Sequence, residues 1–262
     1  NSPDAIRAAL AAGCHVLAEK PACTRAEDFE PLVDLARKQD RHLMLALATR
    51  LHPWIQTSRD LVQQGRLGKL YGAGFRFLAD QTRLTSPEYQ RSWFASKERA
   101  GGGHLLWLGI HYVDLAQYIS GQTIQKVIGL ASNVGGQPMD VEDSAAVAFE
   151  LSGGLMGTLH SGYYLDKGYT CQLVFWGSEG RLSMDLAEGK ALEWYSNGGG
   201  VTQYPVEAGV VSTLYPRFVQ AGVDAARGEA APFITGAEAL HVLKAVFAAY
   251  RSSETGRTQT LT

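Results

Sequence analysis

Apolar positions change period three times along the chain. Near the start, Asp4–Ala12 and Thr24–Gln39 carry apolar residues at helical spacing, while His15–Ala18 and His42–Leu47 are short unbroken apolar runs. Ser2-Pro3-Asp4 supplies an N-cap, a first-turn proline and a first-turn acid, and Gly13 ends the first helix. Thr24 and Glu27 have the spacing of a capping box for the second helix. Helix–strand–helix–strand with continuous apolar strands predicts a parallel α/β layer. Only two strands precede Arg50, too few for a complete doubly wound domain. The pattern then changes: Trp54–Gln64 is a predicted helix closed by Gly65 and Gly68, and Leu70–Ala79 alternates with period two. Six strand-like segments follow at Ile124–Ala131, Ser144–Leu151, Leu155–Tyr164, Cys171–Gly177, Gly180–Asp185 and Leu192–Tyr195. Turns rich in Gly, Asn and Asp separate them, with Asn197–Gly200 read as a hairpin loop, which predicts an antiparallel meander open on one face. Helices over Leu214–Arg227 and Gly236–Ser253 close the chain. The expected division is an α/β part at 1–50 and an α+β domain at 51–262, with the final helix free to pack back on the first part.

Between these halves lies Gly101–Tyr118, GGGHLLWLGIHYVDLAQY. At 100° per residue, His104, Trp107, His111, Asp114 and Tyr118 fall in one sector of about 80°. The remaining faces are apolar, so the helix is expected to be buried almost all round. Polar groups in that setting need partners, either within the core or in a site.

Composition narrows the classes of function. With 45% apolar residues in 262 and a net charge of −2, the chain suits one large or two unequal domains. No basic run exceeds a pair and no apolar run approaches a membrane span, so neither nucleic acid nor membrane is an expected partner. Three cysteines without a C-x-x-C fit a reduced, cytoplasmic protein.

Several residues carry candidate chemistry. Glu19-Lys20-Pro21 ends the first strand, where open α/β sheets place ligands, and Lys20 is either a donor to substrate or cofactor or a solvated strand-end lysine. Arg50, after the second strand, is expected to face the same side. His111 is either a general base or a core histidine bonded to a carbonyl. Gly101–Gly103 either lets a ligand approach the backbone or forms a flexible entry to the helix. No G-x-G-x-x-G occurs, no third ligand joins His104 and His111 at metal-site spacing, and no serine has the setting of a nucleophile elbow.

Taken in order, these pieces resemble the glucose–fructose oxidoreductase / inositol dehydrogenase / MocA (Gfo/Idh/MocA) family. The matching stretches are N-S-P-D…A-L-A-A-G-C-H-V-L-A-E-K-P (Asn1–Pro21), A-T-R-L-H-P (Ala48–Pro53), G-R-L-G (Gly65–Gly68), G-G-G-H-L-L-W-L-G-I-H-Y-V-D (Gly101–Asp114), E-D-S-A-A-V-A-F-E-L-S-G-G (Glu142–Gly154) and the C-terminal F-V-Q-A…A-Y-R-S-S. The resemblance implies the C-terminal part of a Rossmann domain followed by a domain with a large open, mainly antiparallel sheet, and oligomers packed through that sheet. It implies NAD or NADP as cofactor and a sugar or polyol substrate. It also places the phosphate-binding turn upstream of Asn1, so roughly 100 residues of a whole dehydrogenase are expected to precede it, and this chain alone is expected to bind dinucleotide poorly.

By the same resemblance, Lys20 would bond the reacting hydroxyl, His111 would take its proton, and Glu19, Lys20, Pro21 and Arg50 would line the cofactor. Trp107 stands where the inositol-dehydrogenase pattern has Asp, replacing a hydroxyl-orienting carboxylate with a ring able to stack on a pyranose. Asp114 is read as a structural partner, and His104, Trp93, Lys97, His160 and Tyr163 as further pocket candidates. Two other readings stay open: a relative that uses the cofactor transiently in glycoside hydrolysis, and a non-catalytic sensor or scaffold.

Overall fold

The computed structural model describes residues 2–185, 190–205 and 214–261. Helix α1 (Ser2–Ala11), strand β1 (Val16–Ala18), helix α2 (Ala26–Lys38) and strand β2 (Leu43–Leu45) form the first layer. The strands pair in parallel, Val16 with Leu43 and Ala18 with Leu45, and Leu10, Phe29 and Leu32 are buried against them. The predicted capping box at Thr24 does not form. Helix α2 starts at Ala26, so Arg25 takes the cap position with extended backbone and no side-chain cap bond, and Thr24 is one residue too far upstream. Asn1 lies outside the described residues.

A 3-10 turn (Ala48–Leu51) leads into α3 (Pro53–Gln63), whose first turn is capped by the His52 ring accepting from Trp54 N at 3.3 Å. Then come β3 (Leu70–Asp80), a 3-10 turn (Thr82–Thr85), the short helices α4 (Pro87–Arg91) and α5 (Lys97–Ala100), and a π turn (Leu105–Gly109) that runs into α6 (Ile110–Ser120). The remaining strands are β4 (Ile124–Ser132), β5 (Ser144–Leu151), β6 (Met156–Leu165), β7 (Tyr169–Gly177), β8 (Gly180–Asp185), β9 (Lys190–Ser196) and β10 (Gly200–Tyr204). Helices α7 (Leu214–Ala226) and α8 (Gly236–Thr255) and the short β11 (Gln259–Thr260) complete the described elements.

The large sheet runs β10-β9-β8-β7-β3-β6-β5-β4-β11. It is mainly antiparallel but not a simple meander. Strand β3 lies between β6 and β7, parallel to the first (Phe75 beside Leu159) and antiparallel to the second (Phe75 beside Leu173). The link from β6 to β7 therefore crosses two inter-strand gaps, about 9.6 Å, which the residues between Leu165 and Tyr169 can span. Periodicity cannot distinguish this split hairpin from one whose strands touch. Strands β10 and β11 also extend the sheet beyond the predicted six segments, β10 pairing with β9 across the expected Asn197–Gly200 turn.

One face of the sheet is core. Phe75 meets Tyr112 of α6, Phe149 and Phe175 with ring centres 5.7–6.3 Å apart. Helix α8 joins this core to the first layer: Lys244 pairs with Glu30 and Arg251 with Glu27, while Ser252 accepts from Gly129 N of β4 at 3.0 Å. The opposite face carries Ile128, Leu130, Met156 and Trp176 exposed beside Gly72, Gly74, Ala146 and Ala148.

A buried ion pair joins the layers. Arg50 donates from Nε and Nη2 to the Asp114 carboxylate at 2.7–3.0 Å, and from Nη1 to Glu238 (2.9 Å) and the Phe233 carbonyl (3.2 Å). The Asp114 and Arg50 side chains are 0% and 3% exposed. Burial opposes the charge on Arg50, but the Asp114 and Glu238 carboxylates hold its pKa above the ordinary value. Asp114→Ala, which leaves Nε and Nη2 of the buried guanidinium without an acceptor and only Nη1 paired with Glu238, is expected to cost about 3–5 kcal/mol in urea unfolding; a loss under about 1 kcal/mol would show that solvent reaches Arg50.

Candidate active site

The central helix is held at its start by a buried carboxylate. Glu142 accepts from Gly103 N (2.6 Å), Leu105 N (2.8 Å) and Tyr250 Oη (2.8 Å), and its own carbonyl accepts from His104 N (3.1 Å). Burial pushes the Glu142 carboxyl up against these bonds, which favour its charge. A Cβ at Gly103 would overlap the Glu142 carbonyl, and one at Gly102 would overlap the Tyr250 hydroxyl. The glycine run therefore serves close packing against the Glu142 backbone and the Tyr250 side chain, rather than ligand approach or a flexible entry.

From this cap the predicted polar line splits. The π turn over Leu105–Gly109 is wider than an α turn, so the 100° spacing fails across it. Trp107, His111, Asp114 and Tyr118 meet Lys20, Thr49, Arg50 and Arg59, all from the first half of the chain. His104 instead turns to β6, where its Nδ1 lies 2.6 Å from Ser161 Oγ. It packs between Phe77 (5.6 Å) and the edge of Tyr163 (4.4 Å), and its Nε2 is buried with no partner among the described residues.

Lys20, just beyond β1, donates from Nζ to the Trp107 carbonyl and lies 5.2 Å from the centre of the indole. Burial lowers its pKa to about 8, with Glu19 opposing and Arg83 reinforcing the shift. Glu19 itself accepts from Tyr215 Oη at 2.7 Å. The Trp107 ring is fixed by its Nε1–H bond to the Gly102 carbonyl (3.0 Å) and by edge contacts with Trp93 (5.2 Å) and Phe94 (4.9 Å).

His111 places Nδ1 3.3 Å from Thr49 Oγ1, and Nε2 has no hydrogen-bond partner among the described residues. Burial, and then the charge of Lys20, lowers its pKa to about 3. It is therefore neutral at physiological pH, and in the tautomer that gives Nδ1–H to Thr49 its Nε2 keeps a free lone pair.

A cavity of about 820 Å³ opens where β1 ends, lined among others by Glu19, Lys20, Pro21, Trp93 and Trp107. These five predicted residues come together. Others lie apart. Arg50 does not face this cavity because its guanidinium is used up by Asp114, Glu238 and Phe233. Lys97 pairs with Glu254 at 2.7 Å beside a smaller cavity of about 280 Å³. His160 lies on the exposed sheet face, 3.3 Å from Tyr164 Oη, because strand alternation points it away from the core. Tyr163 is buried beside Ala79 and Leu84. Thr49, Glu142 and Tyr215 carry no local signal of their surroundings, since each meets its partner far away in sequence. Among the described residues no cluster of His, Cys, Asp or Glu could hold a metal ion, and no helix is long and apolar enough to cross a membrane.

Comparison with known proteins defines the class. Residues 2–47 match the model of an oxidoreductase family with an NAD-binding Rossmann fold, and residues 55–183 match the GFO/IDH/MocA C-terminal domain. The chain belongs to the Gfo/Idh/MocA oxidoreductase family. It is 32% identical over 186 residues to dTDP-3,4-didehydro-2,6-dideoxy-alpha-D-glucose 3-reductase of Saccharopolyspora spinosa, covering 71% of this chain and 53% of that protein. To 1,5-anhydro-D-fructose reductase of Ensifer adhaerens it is 25% identical over 262 residues, covering 95% and 73%. The crystal structure of an oxidoreductase domain protein from Kribbella flavida superposes with a TM-score of 0.90 at 25% identity, covering 100% of this chain and 77% of that one. Against most of the curated relatives the chain spans about half of their length or less.

The buried histidines generate an acid limit. Burial, with Arg217 adding, lowers His52 to about 4; burial, with Arg83 and then Lys20 adding, lowers His104 to about 3. In the unfolded chain each takes a proton near pH 6.5, which the native state refuses until pH 3–4. Their stabilisation is therefore present above pH 6.5 and is lost as pH falls, by up to about 1.4 kcal/mol per pH unit for each. The urea midpoint is expected to drop steadily from pH 7 to 5. A flat midpoint would mean that the native histidines protonate normally.

Proposed function

We propose that the protein is a nicotinamide-dependent oxidoreductase acting on a carbon that bears a hydroxyl in a sugar or related cyclic polyol. The observation that carries this reading is that Lys20 lines a cavity located where β1 ends and donates to the carbonyl of Trp107, one turn before His111 on the central helix. That end of a parallel α/β layer is where such folds bind ligands. The flat walls of Trp93 and Trp107 and the lone ammonium of Lys20 suit the nicotinamide end of the cofactor, with Glu19, Lys20 and Pro21 in contact with it. When bound, the nicotinamide supplies the hydride acceptor or donor. The names of the relatives quoted above, both reductases of sugar derivatives, support the substrate class.

The residues then divide the work. Neutral His111 takes the hydroxyl proton on Nε2 while Thr49 holds the ring by Nδ1. Lys20 donates to the same oxygen as its charge grows, and the Trp107 carbonyl keeps the ammonium in place. Trp107 and Trp93 keep water out and offer an apolar face to the sugar ring. In the full-length protein, His111→Ala is expected to lower kcat by about 10²–10⁴, and near wild-type turnover would remove it from the mechanism. Because His111 stays neutral down to about pH 3 and Lys20 loses its proton near pH 8, kcat/KM for oxidation should be level from pH 5 to 7 and fall above about 8. A rise there would make Lys20 the base.

The exposed sheet face is proposed to pack against a second copy of the chain. Leu130 and Met156 are 71% and 70% exposed, and the small residues between them leave room for close sheet-to-sheet approach. Leu130→Glu with Met156→Glu should give a monomer in sedimentation with unchanged circular dichroism, whereas an unaltered oligomer would place the interface elsewhere. With Cys14, Cys23 and Cys171 all free, a reducing, cytoplasmic setting suits the protein.

A further inference from the structure

Trp93 opens a short 3-10 turn (Trp93–Ala95), and the residue is 38% exposed on the wall of the cavity that Lys20 and Trp107 also line. Its indole is nevertheless held. The ring is stacked on Phe94 with centres 3.9 Å apart, and Phe94 in turn is nearly parallel to Tyr89 at 6.2 Å. Both Trp93 and Phe94 meet Trp107 edge-on, at 5.2 and 4.9 Å. The backbone is pinned just beyond the turn: Asp140 N donates to the Ala95 carbonyl at 3.1 Å, and Lys97 N donates to the Asp140 carboxylate at 2.5 Å.

What this wall offers a ligand is narrow. An indole carries one N–H donor and no acceptor, and the N–H of Trp107 is already given to the Gly102 carbonyl. The Trp107 carbonyl accepts from Lys20. A sugar hydroxyl turned toward these two rings therefore finds no acceptor in either, whereas a flat apolar group gains both buried area and ring contact. A ring already fixed by its neighbours loses little freedom when a ligand stacks on it, which favours binding. Lys20 lies 5.2 Å from the Trp107 ring, and Trp93 is the next ring beyond. The open face of Trp93 thus lies one ring further from Lys20 than the wall that meets the sugar.

We infer that the face of Trp93 is a subsite for an aromatic group carried by the substrate. The molecule presented to Lys20 is then an aryl glycoside rather than a free sugar or polyol, an inference that rests on the function proposed above.

The test is calorimetric titration of the full-length protein, with cofactor present, using the phenyl and methyl β-D-glucosides and β-D-galactosides as probes. Wild type should bind a phenyl glycoside at least about tenfold more tightly than the matching methyl glycoside. Trp93→Leu, which keeps apolar bulk and removes the π face, should cut that ratio by about 3–10-fold, the worth of one aromatic pair. Trp93→Phe should keep most of it. A protein that binds no phenyl glycoside, binds phenyl and methyl forms alike, or keeps its preference in Trp93→Leu would overturn the assignment. So would a loss of cofactor affinity in Trp93→Leu as large as the loss for the phenyl glycoside, since the ring would then serve the nicotinamide. Binding needs no turnover: a preference carried by Trp93 without cofactor reduction by any glycoside refutes the dehydrogenase reading and leaves the subsite standing. Cofactor reduction by phenyl and methyl forms with equal KM refutes the subsite and leaves the dehydrogenase.

Discussion

The buried pair of Arg50 and Asp114 is the constraint on which the arrangement of the site depends. One guanidinium gathers the turn after β2, the middle of α6 and the approach to α8, three segments far apart in sequence. Burying these charges is costly unless every donor is used, and here Nε, Nη1 and Nη2 all have acceptors, with the Tyr118 ring covering the cation at 4.7 Å. The consequence for chemistry lies one residue and one turn away. Thr49 precedes Arg50 and His111 precedes Asp114 by one turn, so the Thr49–His111 contact runs alongside the ion pair. The imidazole inherits its orientation from a charge pair that does not itself face the cavity.

The other end of the helix is clamped as firmly. Glu142 binds the first free N–H groups, and Tyr250 of α8 donates to the same carboxylate while accepting from Leu106 N at 3.1 Å. Helix α8 therefore holds the site helix directly through Tyr250 and, by way of Arg50, through Glu238. Between these clamps the π turn is held in place, and the groups around the cavity are positioned before any ligand arrives.

Much of this was legible in the sequence, and the gaps share a cause. Strands β5 and β8 have the expected limits because their alternation is bounded by Gly and Ser turns. The place of β3 was not legible, since a period of two says which face a residue takes and nothing about which strand lies beside it. Thr24 and Thr235 both stand three residues before a glutamate, yet only Thr235 forms the capping box, accepting from Glu238 N while Thr235 N donates back. The start of the helix, not the spacing, decides between them. Lys20, Trp93 and Trp107, each carried by a short stretch that stands out in the sequence, line one cavity. Arg50 was placed by its position after a strand, but its actual surroundings come from Asp114, 64 residues on. His104 left the polar line because a single wide turn is invisible to a fixed angular step.

One contact separates the chemistry of this site from its selectivity. The hydrogen bond that anchors Lys20 goes to the carbonyl of Trp107, with the indole 5.2 Å away as a second contact. A backbone oxygen is supplied by every residue type, so the lysine's anchor is blind to the identity of position 107. The ring above it can be exchanged, over generations or at the bench, for a carboxylate or an amide without unmooring the ammonium below. A fold wired in this way can vary the cavity wall while the anchored lysine stays where it is.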